Sequence, residues 1–505
     1  MLACVPSAVL RGVDGQLVRV EVHVSRGLPG YTVVGLPDAA GRESRERVRA
    51  ACLSSGLPWP LSRVTVNLAP AAVRKPGSGL EAAIALALLA AADALPAGAL
   101  EGIGVIGELS LDGSVRPVPG VLALVGTLAA AGVEQVVVPA ADAAEAALVP
   151  GVTVRAARSL GELHACLKGE APWPDPPAAP PPPAVVADAQ AAGDDDPADL
   201  ADVRGLHHAR HALAVAAAGA HHLLLVGPPG AGKTMLARRL PGILPRLDRG
   251  EALQVTRIHS AAGVRTHGRL VERPPFRAPH HSASAVALVG GGSPRVRPGE
   301  ITLAHLGALF LDELGEFPPS VLDALRQPLE ERVVRISRAH ATVDFPADFV
   351  LVACSNPCPC GRPEPRCACT DVQRARYLRR LSAPLLDRFD LRLEVAPPDA
   401  GAGPGPPSAA VRDRVATAVE RQRDRLAGTP WRRNGHVPGA ALDTVAPLPA
   451  DARRTWRAIC RTRAVSGRGA ARIRRVARTI ADLDDRAEVT ADDVELASML
   501  REDLA

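Results

Sequence analysis

The stretch Leu223-Leu224-Leu225-Val226-Gly227-Pro228-Pro229-Gly230-Ala231-Gly232-Lys233-Thr234 decides the fold of this chain. Its four apolar residues are typical of a buried parallel strand, and the residues after them fit the phosphate-binding pattern G-x-x-x-x-G-K-[ST]. In such a loop, glycines let backbone N–H groups face phosphate oxygens, the lysine reaches the β- and γ-phosphates, and the threonine hydroxyl helps to hold Mg²⁺. A Gly/Pro turn that fits by chance is the alternative, but a helix is also predicted from Met235, and its dipole favours the anion. We therefore predict a site for ATP and Mg²⁺ at Gly227, Pro228, Pro229, Gly230, Ala231, Gly232, Lys233 and Thr234.

The composition is that of a soluble chain with several domains. Its 505 residues correspond to about three domains, and 47% hydrophobic residues are enough for sizeable cores. The net charge is +5 and almost all of the positive charge is arginine, which is weak evidence for nucleic-acid binding. The first residues lack the basic segment of a secretion signal, and the longest apolar run, residues 82–92, is shorter than the ~18 residues of a membrane helix. We expect a cytoplasmic protein that does not contact a membrane.

Residues 1–168 are predicted to form a mixed α/β domain. Residues 18–24 alternate between apolar and polar, as in a half-buried strand, and residues 38–54 have helical spacing. Asp112-Gly113, between two apolar segments, is a strong hairpin signal. Residues 107–115 resemble the proteolytic domain of Lon-type proteases, which implies a Lon-protease-like fold of the ribosomal protein S5 domain 2-like type.

The resemblance to Lon raises the question of proteolysis, which requires a serine in a glycine-rich turn and a lysine that accepts its proton. Alignment of residues 75–79 with the Lon turn places Gly79 where the serine is expected, and Ser78 is one residue away. The lysine position falls near Leu122, and residues 120–134 contain no lysine. We predict a non-proteolytic scaffold or interaction domain, with hydrolysis by another arrangement of residues as the alternative.

The rest of the chain divides at a low-complexity segment. Residues 169–198 are rich in Pro, Ala and Asp, which predicts a solvated linker. Residues 199–396 contain the nucleotide loop and are predicted to form an α/β core. Residues 397–505 are predicted to form a helical lid, in which Thr490 caps the last helix.

Three further segments follow the nucleotide loop in the order expected of a P-loop motor. Residues 308–313 form an apolar strand that ends in two carboxylates, Asp312 to hold Mg²⁺ and Glu313 to polarise the attacking water. Asn356 follows a second apolar strand and is the candidate sensor of the γ-phosphate. Arg388 precedes a third strand and is the candidate arginine finger for a neighbouring subunit's site, although a lone arginine is usually a solvated surface residue.

Together these segments resemble the Mg-chelatase-like AAA+ ATPases, and within them the YifB/ComM family. The resemblance implies a P-loop AAA+ α/β core with a C-terminal α-helical lid, and a homo-hexamer with ATP sites between subunits. For ComM it also implies a DNA branch-migration helicase acting in natural transformation. It aligns Arg468 with the family's second sensor arginine, with Arg472 as the runner-up, although residues 469–471 are smaller than in relatives. The segments that carry the resemblance are residues 227–234, 276–281, 299–301, 311–313, 356–361 and 385–388.

Residues 273–284 lie where this family carries an insert into the ring pore. Five basic residues in and just before this segment, here called the basic approach, suit contact with a phosphate backbone. We expect single-stranded or branched DNA as the partner. His280 and His281 belong to this surface or pack at the nucleotide site, and the sequence leaves both interpretations open. The basic residues are Arg265, His267, Arg269, Arg273 and Arg277.

Four cysteines form two C-x-C pairs that are separated by six residues. Such a set can surround one tetrahedral Zn²⁺, and Pro and Gly between the pairs supply the turns. Free thiols or two disulfides are the alternatives, and neither suits a cysteine cluster in a cytosolic protein. Because the cluster follows Asn356 directly, we hypothesise that it couples the state of the γ-phosphate to a loop that faces substrate. The cysteines are Cys358, Cys360, Cys367 and Cys369.

Three classes of function remain open at this point. A DNA-remodelling ATPase, with branch-migration helicase activity, is favoured by the family resemblance. A metal-insertion motor like the magnesium chelatase ATPase subunit shares the same core, but the Lon-like domain and the cysteine cluster speak against it. An ATP-dependent protease is disfavoured by the missing serine–lysine pair.

Overall fold

The computed structural model describes residues 1–36, 38–70, 78–175, 198–264, 266–292, 296–338, 341–362, 367–397 and 401–502. Residues 75–77 of the Lon-like turn, most of the predicted linker, and Arg265 lie outside these ranges. Across the described residues, no helix combines the length and the apolar character needed to span a membrane.

The N-terminal part of the chain consists of sheets with helices packed against them. Its strands are β1 Leu2–Arg11, β2 Asp14–Ser25, β3 Gly30–Val34, β4 Arg63–Ala69, β5 Ile103–Val105, β6 Glu108–Leu109, β7 Val115–Arg116, β8 Gln135–Pro139 and β9 Thr153–Ala157. Its α-helices are α1 Asp38–Ser54, α2 Glu81–Ala91, α3 Val121–Ala130, α4 Ala143–Ala146 and α5 Leu160–Leu167. One sheet has the order β1-β2-β4-β3, and a second, parallel sheet has the order β5-β8-β9. The predicted mixed α/β fold is confirmed.

Local sequence accounts for these elements. Along β2, Val18, Val20 and Val22 are fully buried and alternate with more exposed residues, as the period of two predicts. The predicted hairpin is also confirmed, because β6 and β7 pair as antiparallel strands around Asp112 and Gly113. Gly113 has φ +85°, a conformation that favours glycine, and Oδ1 of Asp112 accepts the Ser114 N–H at 3.0 Å.

The middle part of the chain is an α/β unit. Its strands are β10 Leu223–Val226, β11 Phe276–Arg277, β12 Gly290–Gly291, β13 Arg297–Pro298, β14 Ala308–Leu311, β15 Val333–Arg338, β16 Ala341–Pro346, β17 Val350–Ser355 and β18 Leu391–Glu394. Its α-helices are α6 His207–Gly219, α7 Lys233–Ala237, α8 Leu240–Ile243, α9 Arg249–Ala262, α10 Ala285–Val289, α11 Glu300–Leu303, α12 Pro319–Ala324, α13 Arg326–Glu331, α14 Asp371–Leu378 and α15 Ala383–Leu386.

A parallel sheet of order β11-β14-β17-β10-β18 forms the centre of this unit. Its middle strands are apolar because helices cover both faces of such a sheet. Since all the strands run in one direction, the loops that follow β10, β14 and β17 meet at the carboxyl edge. The residues that precede these strands, and those that precede β18, meet at the amino edge.

The C-terminal part is helical, as predicted. Its α-helices are α16 Ser408–Arg425, α17 Leu442–Val445, α18 Ala450–Thr462, α19 Gly467–Leu483 and α20 Ala491–Met499. Thr490 caps α20 through a capping box with Asp493, so that predicted helix start is confirmed. Near the small residues 469–471, Nε1 of Trp456 donates to the carbonyl of Ala470 at 3.0 Å.

The N-terminal part packs directly on the α/β unit of the same chain. The N–H of Gly120, at the start of α3, donates to the carbonyl of Ser260 in α9 at 3.0 Å. Gly12, in the turn between β1 and β2, faces the hairpin β15–β16, where a Cβ would lie 2.5 Å from Val343 and 3.4 Å from Phe345. Phe345 is fully buried, and one apolar cluster continues from the N-terminal part into the α/β unit. No pattern in the sequence predicts this contact.

Candidate nucleotide site

The P-loop, residues 227–234, joins β10 to α7. Gly230 and Gly232 have φ values of +80° and +86°, which a residue with a side chain would adopt only under strain. Gly227 lies so close to the residue that follows β18 that a Cβ would be 2.2 Å from the carbonyl oxygen of Val395. The predicted loop therefore depends on its glycines for both curvature and close approach.

Lys233 is the buried cation of the site. Its Nζ donates to the carbonyl oxygens of Gly227 and Pro228 at 2.7 and 2.9 Å, and to Oδ1 of Asn356 at 3.2 Å. These three acceptors match the three N–H donors of an ammonium group. The residue is 8% exposed, and burial lowers the pKa of its ammonium group while the nearby Asp312 raises it. Lys233 and the sensor candidate Asn356 are thus in direct contact.

Thr234 and Asp312 form the expected pair of oxygen donors. Oγ1 of Thr234 donates to Oδ2 of Asp312 at 2.8 Å, across the neighbouring loops that follow β10 and β14. A hydroxyl and a carboxylate at this separation are ligands of the kind that Mg²⁺ takes, directly or through water. The residues present therefore fit a magnesium ion beside the P-loop.

Glu313 projects from the same edge and lies next to a histidine. Its backbone has φ +52°, and its N–H donates to Oδ1 of Asp312 at 3.0 Å. Oε2 of Glu313 lies 3.4 Å from Nδ1 of His281, whose ring packs at a tilt of 35° against that of His280 with centroids 4.0 Å apart. The sequence left open whether these histidines belong to the basic surface or pack at the nucleotide site. His281 packs at the nucleotide site, through its contact with Glu313.

Arg388 lies at the opposite edge of the sheet. β18 pairs with β10 in parallel, with Leu391 opposite Leu223. Arg388 comes just before β18, whereas the P-loop comes just after β10, so the two lie at opposite ends of this strand pair. The guanidinium donates to the carbonyl of Arg326 at 3.1 Å and pairs with Oε1 of Glu330 at 2.8 Å. The structure therefore does not bring Arg388 to the Lys233 of its own chain.

Arg468 lies beside Arg388 in a cavity of about 530 Å³ at the amino edge. Arg468 is exposed, and among the described residues it forms no hydrogen bond or ion pair. Arg472, the alternative sensor, is held by Asp390 at 3.1 Å and by Asp387 at 3.6 Å. Arg468 is therefore the arginine of the two that is available to a ligand. The cavity is also lined by Arg332, Arg475, His222 and His436.

The basic approach is only partly available to nucleic acid. Arg277 is 11% exposed and forms a two-bond ion pair with Glu300, at 2.6 and 2.9 Å, so the expectation that it faces DNA is wrong. The segment around Gly268 packs against Ala144 of the N-terminal part. Arg269 and Arg273 are exposed.

The four cysteines converge, as their spacing predicts. Their Sγ atoms all lie within 4.8 Å of one another, and three of the separations are 3.5, 3.6 and 3.7 Å. A tetrahedral ZnS₄ centre with Zn–S bonds of ~2.3 Å has S···S edges of ~3.8 Å, so the thiols have the spacing of a metal site. Backbone N–H groups of Arg362 and Ala368 lower the pKa of Cys360, whereas burial raises the pKa of Cys358, so the spacing of the thiols is the observation that supports a metal.

At the Lon-like site, the position of the expected lysine is apolar. Leu122 is 2% exposed in α3 and packs in the core. Residues 75–77 lie outside the described ranges, so the absence of proteolysis stays a prediction.

Comparison with known proteins places these features in one family. Models of magnesium chelatase subunit ChlI match residues 20–142 and 199–402, and a model of the ChlI C-terminal region matches residues 405–501. YifB of Salmonella typhimurium is 42% identical over 489 residues, covering 96% of this chain and 94% of that protein. Competence protein ComM of Haemophilus influenzae is 41% identical over 495 residues, covering 97% and 95%. Lon protease 2 of Bacillus subtilis is 28% identical over 186 residues, covering 32% and 33%, in agreement with the Lon-like N-terminal part.

Two histidines at the amino edge, the buried His305 and the partly buried His222, make stability depend on pH. Nδ1 of His222 accepts the N–H of Leu351 at 3.1 Å, and Nδ1 of His305 accepts that of Asp348 at 3.0 Å. Burial lowers the pKa of each to about 4. The unfolded chain, with an ordinary histidine pKa of about 6.5, binds more protons below that pH, so stability is present above pH ~6.5 and is lost as pH falls toward 4.

We expect thermal unfolding of the full chain to shift to lower temperature as pH is lowered through this window. A His222→Asn/His305→Asn variant loses the proton uptake and should show a flatter dependence between about pH 7 and pH 4. His208→Asn removes an exposed histidine and serves as the control. Equal slopes for the double variant and the control would contradict the assignment.

Proposed function

Because the chain belongs to the magnesium chelatase subunit ChlI family of AAA+ ATPases, in the group that contains YifB and ComM, we propose that it is an ATP-hydrolysing ring motor that remodels DNA in the cytoplasm. The observation that carries the proposal is the separation of Lys233 from Arg388 on opposite edges of one parallel sheet. Each chain thus offers the nucleotide-binding half of a hydrolytic site at the carboxyl edge of the sheet and the arginine half of another site at the amino edge. Head-to-tail contact between copies joins the halves, and such contacts form a ring when the rotation between copies closes.

The carboxyl edge is suited to binding ATP and positioning the attacking water. The P-loop amides and Lys233 hold the phosphates, and Lys233 exchanges its carbonyl partners for phosphate oxygens. Thr234 and Asp312 would hold Mg²⁺, which would neutralise charge on the phosphates. Glu313 polarises the water, and Asn356 reports the γ-phosphate through its contact with Lys233.

The amino edge is suited to completing the site of the next subunit. Arg388, whose side chain is 13% exposed and pairs with Glu330, would exchange that partner for the neighbour's phosphate and act as the arginine finger that stabilises the charge of the transition state. Arg468 shares its cavity and is exposed, so it serves the same neighbouring nucleotide rather than the nucleotide of its own chain. A homo-hexamer is the ring that we propose, on the strength of the family.

Two observations support DNA as the substrate. A relative that matches nearly the whole chain is named competence protein ComM. Arg269 and Arg273 remain exposed on the segment that leads into the insert between α9 and β14. We therefore propose single-stranded or branched DNA as the partner, and branch migration of branched DNA, in recombination or natural transformation, as the activity.

A metal-insertion motor is the second candidate, because the matching family models are named for magnesium chelatase. Such a motor would hydrolyse ATP without responding to DNA. The response of the ATPase to DNA therefore discriminates between the two functions.

The spacing of the four thiols supports Zn²⁺ as a structural ion of the cysteine loop, residues 358–369. Purified protein is expected to hold close to one zinc per chain by mass spectrometry of the metal. A content below about a tenth of an equivalent would contradict this assignment.

DNA is expected to stimulate ATP hydrolysis by the full-length protein, most strongly as forked or four-way substrates. Lys233→Ala should abolish hydrolysis, and Glu313→Gln should lower the rate by at least ~100-fold while ATP binding persists. Glu331→Gln, which changes an exposed carboxylate elsewhere, is the matched control. If no DNA stimulates the rate, the proposal reduces to an ATPase that acts on another substrate.

Arg388→Ala should lower the ATPase rate by about 10³-fold, and it should do so through the neighbour's site. Lys233→Ala and Arg388→Ala proteins are each inactive, but equal mixtures contain sites with an intact P-loop and an intact finger. Random mixing makes about a quarter of the sites complete, so the ATPase rate of the mixture should return to about a quarter of the wild-type rate. Mixtures that stay inactive, under conditions in which subunits exchange, would show that Arg388 does not act between chains. Arg379→Ala, at an exposed arginine, is the control.

A further inference from the structure

The cysteine loop begins two residues after the sensor Asn356 and folds back onto the P-loop. Gly361 is buried with φ +65°, and a Cβ at this position would lie 2.8 and 2.9 Å from Cγ and Cδ of Pro229. The same Cβ would lie 3.7 Å from Cγ of Asn356. One glycine of the loop therefore touches the P-loop and the sensor at once.

The segment that leaves the cysteine loop contacts the other side of the site. Tyr377 in α14 is 4% exposed, and a Cβ on Gly315 would lie 2.5 Å from its hydroxyl. Burial raises the pKa of Tyr377, and hydrogen bonds with Ser355 and the backbone of Asn356 oppose that rise. Nη1 of Arg380 donates to the carbonyl of Gly315 at 3.0 Å. The turn that follows Glu313 is thus held by α14 and by the residue Arg380 just after it.

The cysteine loop has little of its own to hold it in this position. Its described residues, 358–362 and 367–369, contain turns and bends but no helix or strand. Cys358 and Gly361 are buried, whereas Pro359, Arg362 and Ala368 are exposed. A loop of this kind gains its order from a metal ion, because metal binding supplies the free energy that a small apolar core cannot.

From these contacts we infer that the cysteine loop is a metal-dependent brace of the nucleotide site. Zn²⁺ on the four thiolates fixes Gly361 against Pro229 and keeps Asn356 within reach of Lys233. Affinity for ATP therefore depends on the metal, although none of the four cysteines belongs to the P-loop. This inference rests on the proposed zinc site and is independent of DNA.

The test compares full-length variants in zinc content and in affinity for a fluorescent N-methylanthraniloyl derivative of ATP with Mg²⁺. Cys367→Ser/Cys369→Ser should lose the zinc and weaken nucleotide binding by about tenfold, the value of one part-buried hydrogen bond. Cys4→Ser/Cys460→Ser removes two thiols outside the loop and should change neither quantity. Loss of zinc with unchanged nucleotide affinity would overturn the brace.

Gly361→Ala provides a second variant that leaves all four cysteines in place. It should retain one zinc per chain and still bind the ATP derivative several-fold more weakly, because the added methyl group displaces Pro229. Full zinc content together with unchanged affinity would overturn the inference even if the cysteine variant fails to fold. A wild-type protein without zinc would overturn both the metal site and the brace, whatever its response to DNA.

Discussion

The hydrogen bonding of the Lys233 ammonium group is the interaction on which the nucleotide site depends. A buried charge costs several kcal/mol unless its donors are satisfied, and here all three find oxygen acceptors. Two of the acceptors belong to the P-loop and the third to Asn356, so the loops that follow β10 and β17 are held together before nucleotide arrives. In the proposed function, phosphate oxygens of ATP would replace the carbonyl oxygens of Gly227 and Pro228 as acceptors for this ammonium group.

Much of the site could be predicted from sequence because its parts are local. The P-loop, Asp312, Glu313 and Asn356 each follow an apolar strand, and parallel strands bring their carboxyl ends to one edge. Contacts between distant segments could not be predicted in this way. The ion pair of Arg277 with Glu300 and the packing of Gly12 on the β15–β16 hairpin depend on tertiary structure that no periodicity records. Tyr377 had one usable signal, since it is one of two tyrosines in a chain with 2% aromatic residues.

The two edges of the central sheet differ in how their charges are held. At the carboxyl edge, the cation is buried and the carboxylate of Glu313 is half exposed beside His281. At the amino edge, Asp390 is buried, and although burial alone would raise its pKa, the hydrogen bond of His221 and the charge of Arg472 lower it. Arg472 thus has a structural partner, while Arg468 next to it has none among the described residues. This contrast distinguishes two arginines that lie one helical turn apart and look equivalent in the sequence.

The packing of the N-terminal part on α9 and on the β15–β16 hairpin has a practical consequence. A chain shortened to begin at the linker would present Val343 and Phe345 to water, together with the face of α9 that α3 covers. Exposed apolar surface of that kind promotes self-association. The β15–β16 hairpin would also lose its packing partner and become more accessible to proteases. The ATPase half is therefore poorly suited to isolation, and the Lon-like part contributes to the solubility of the chain whatever else it binds.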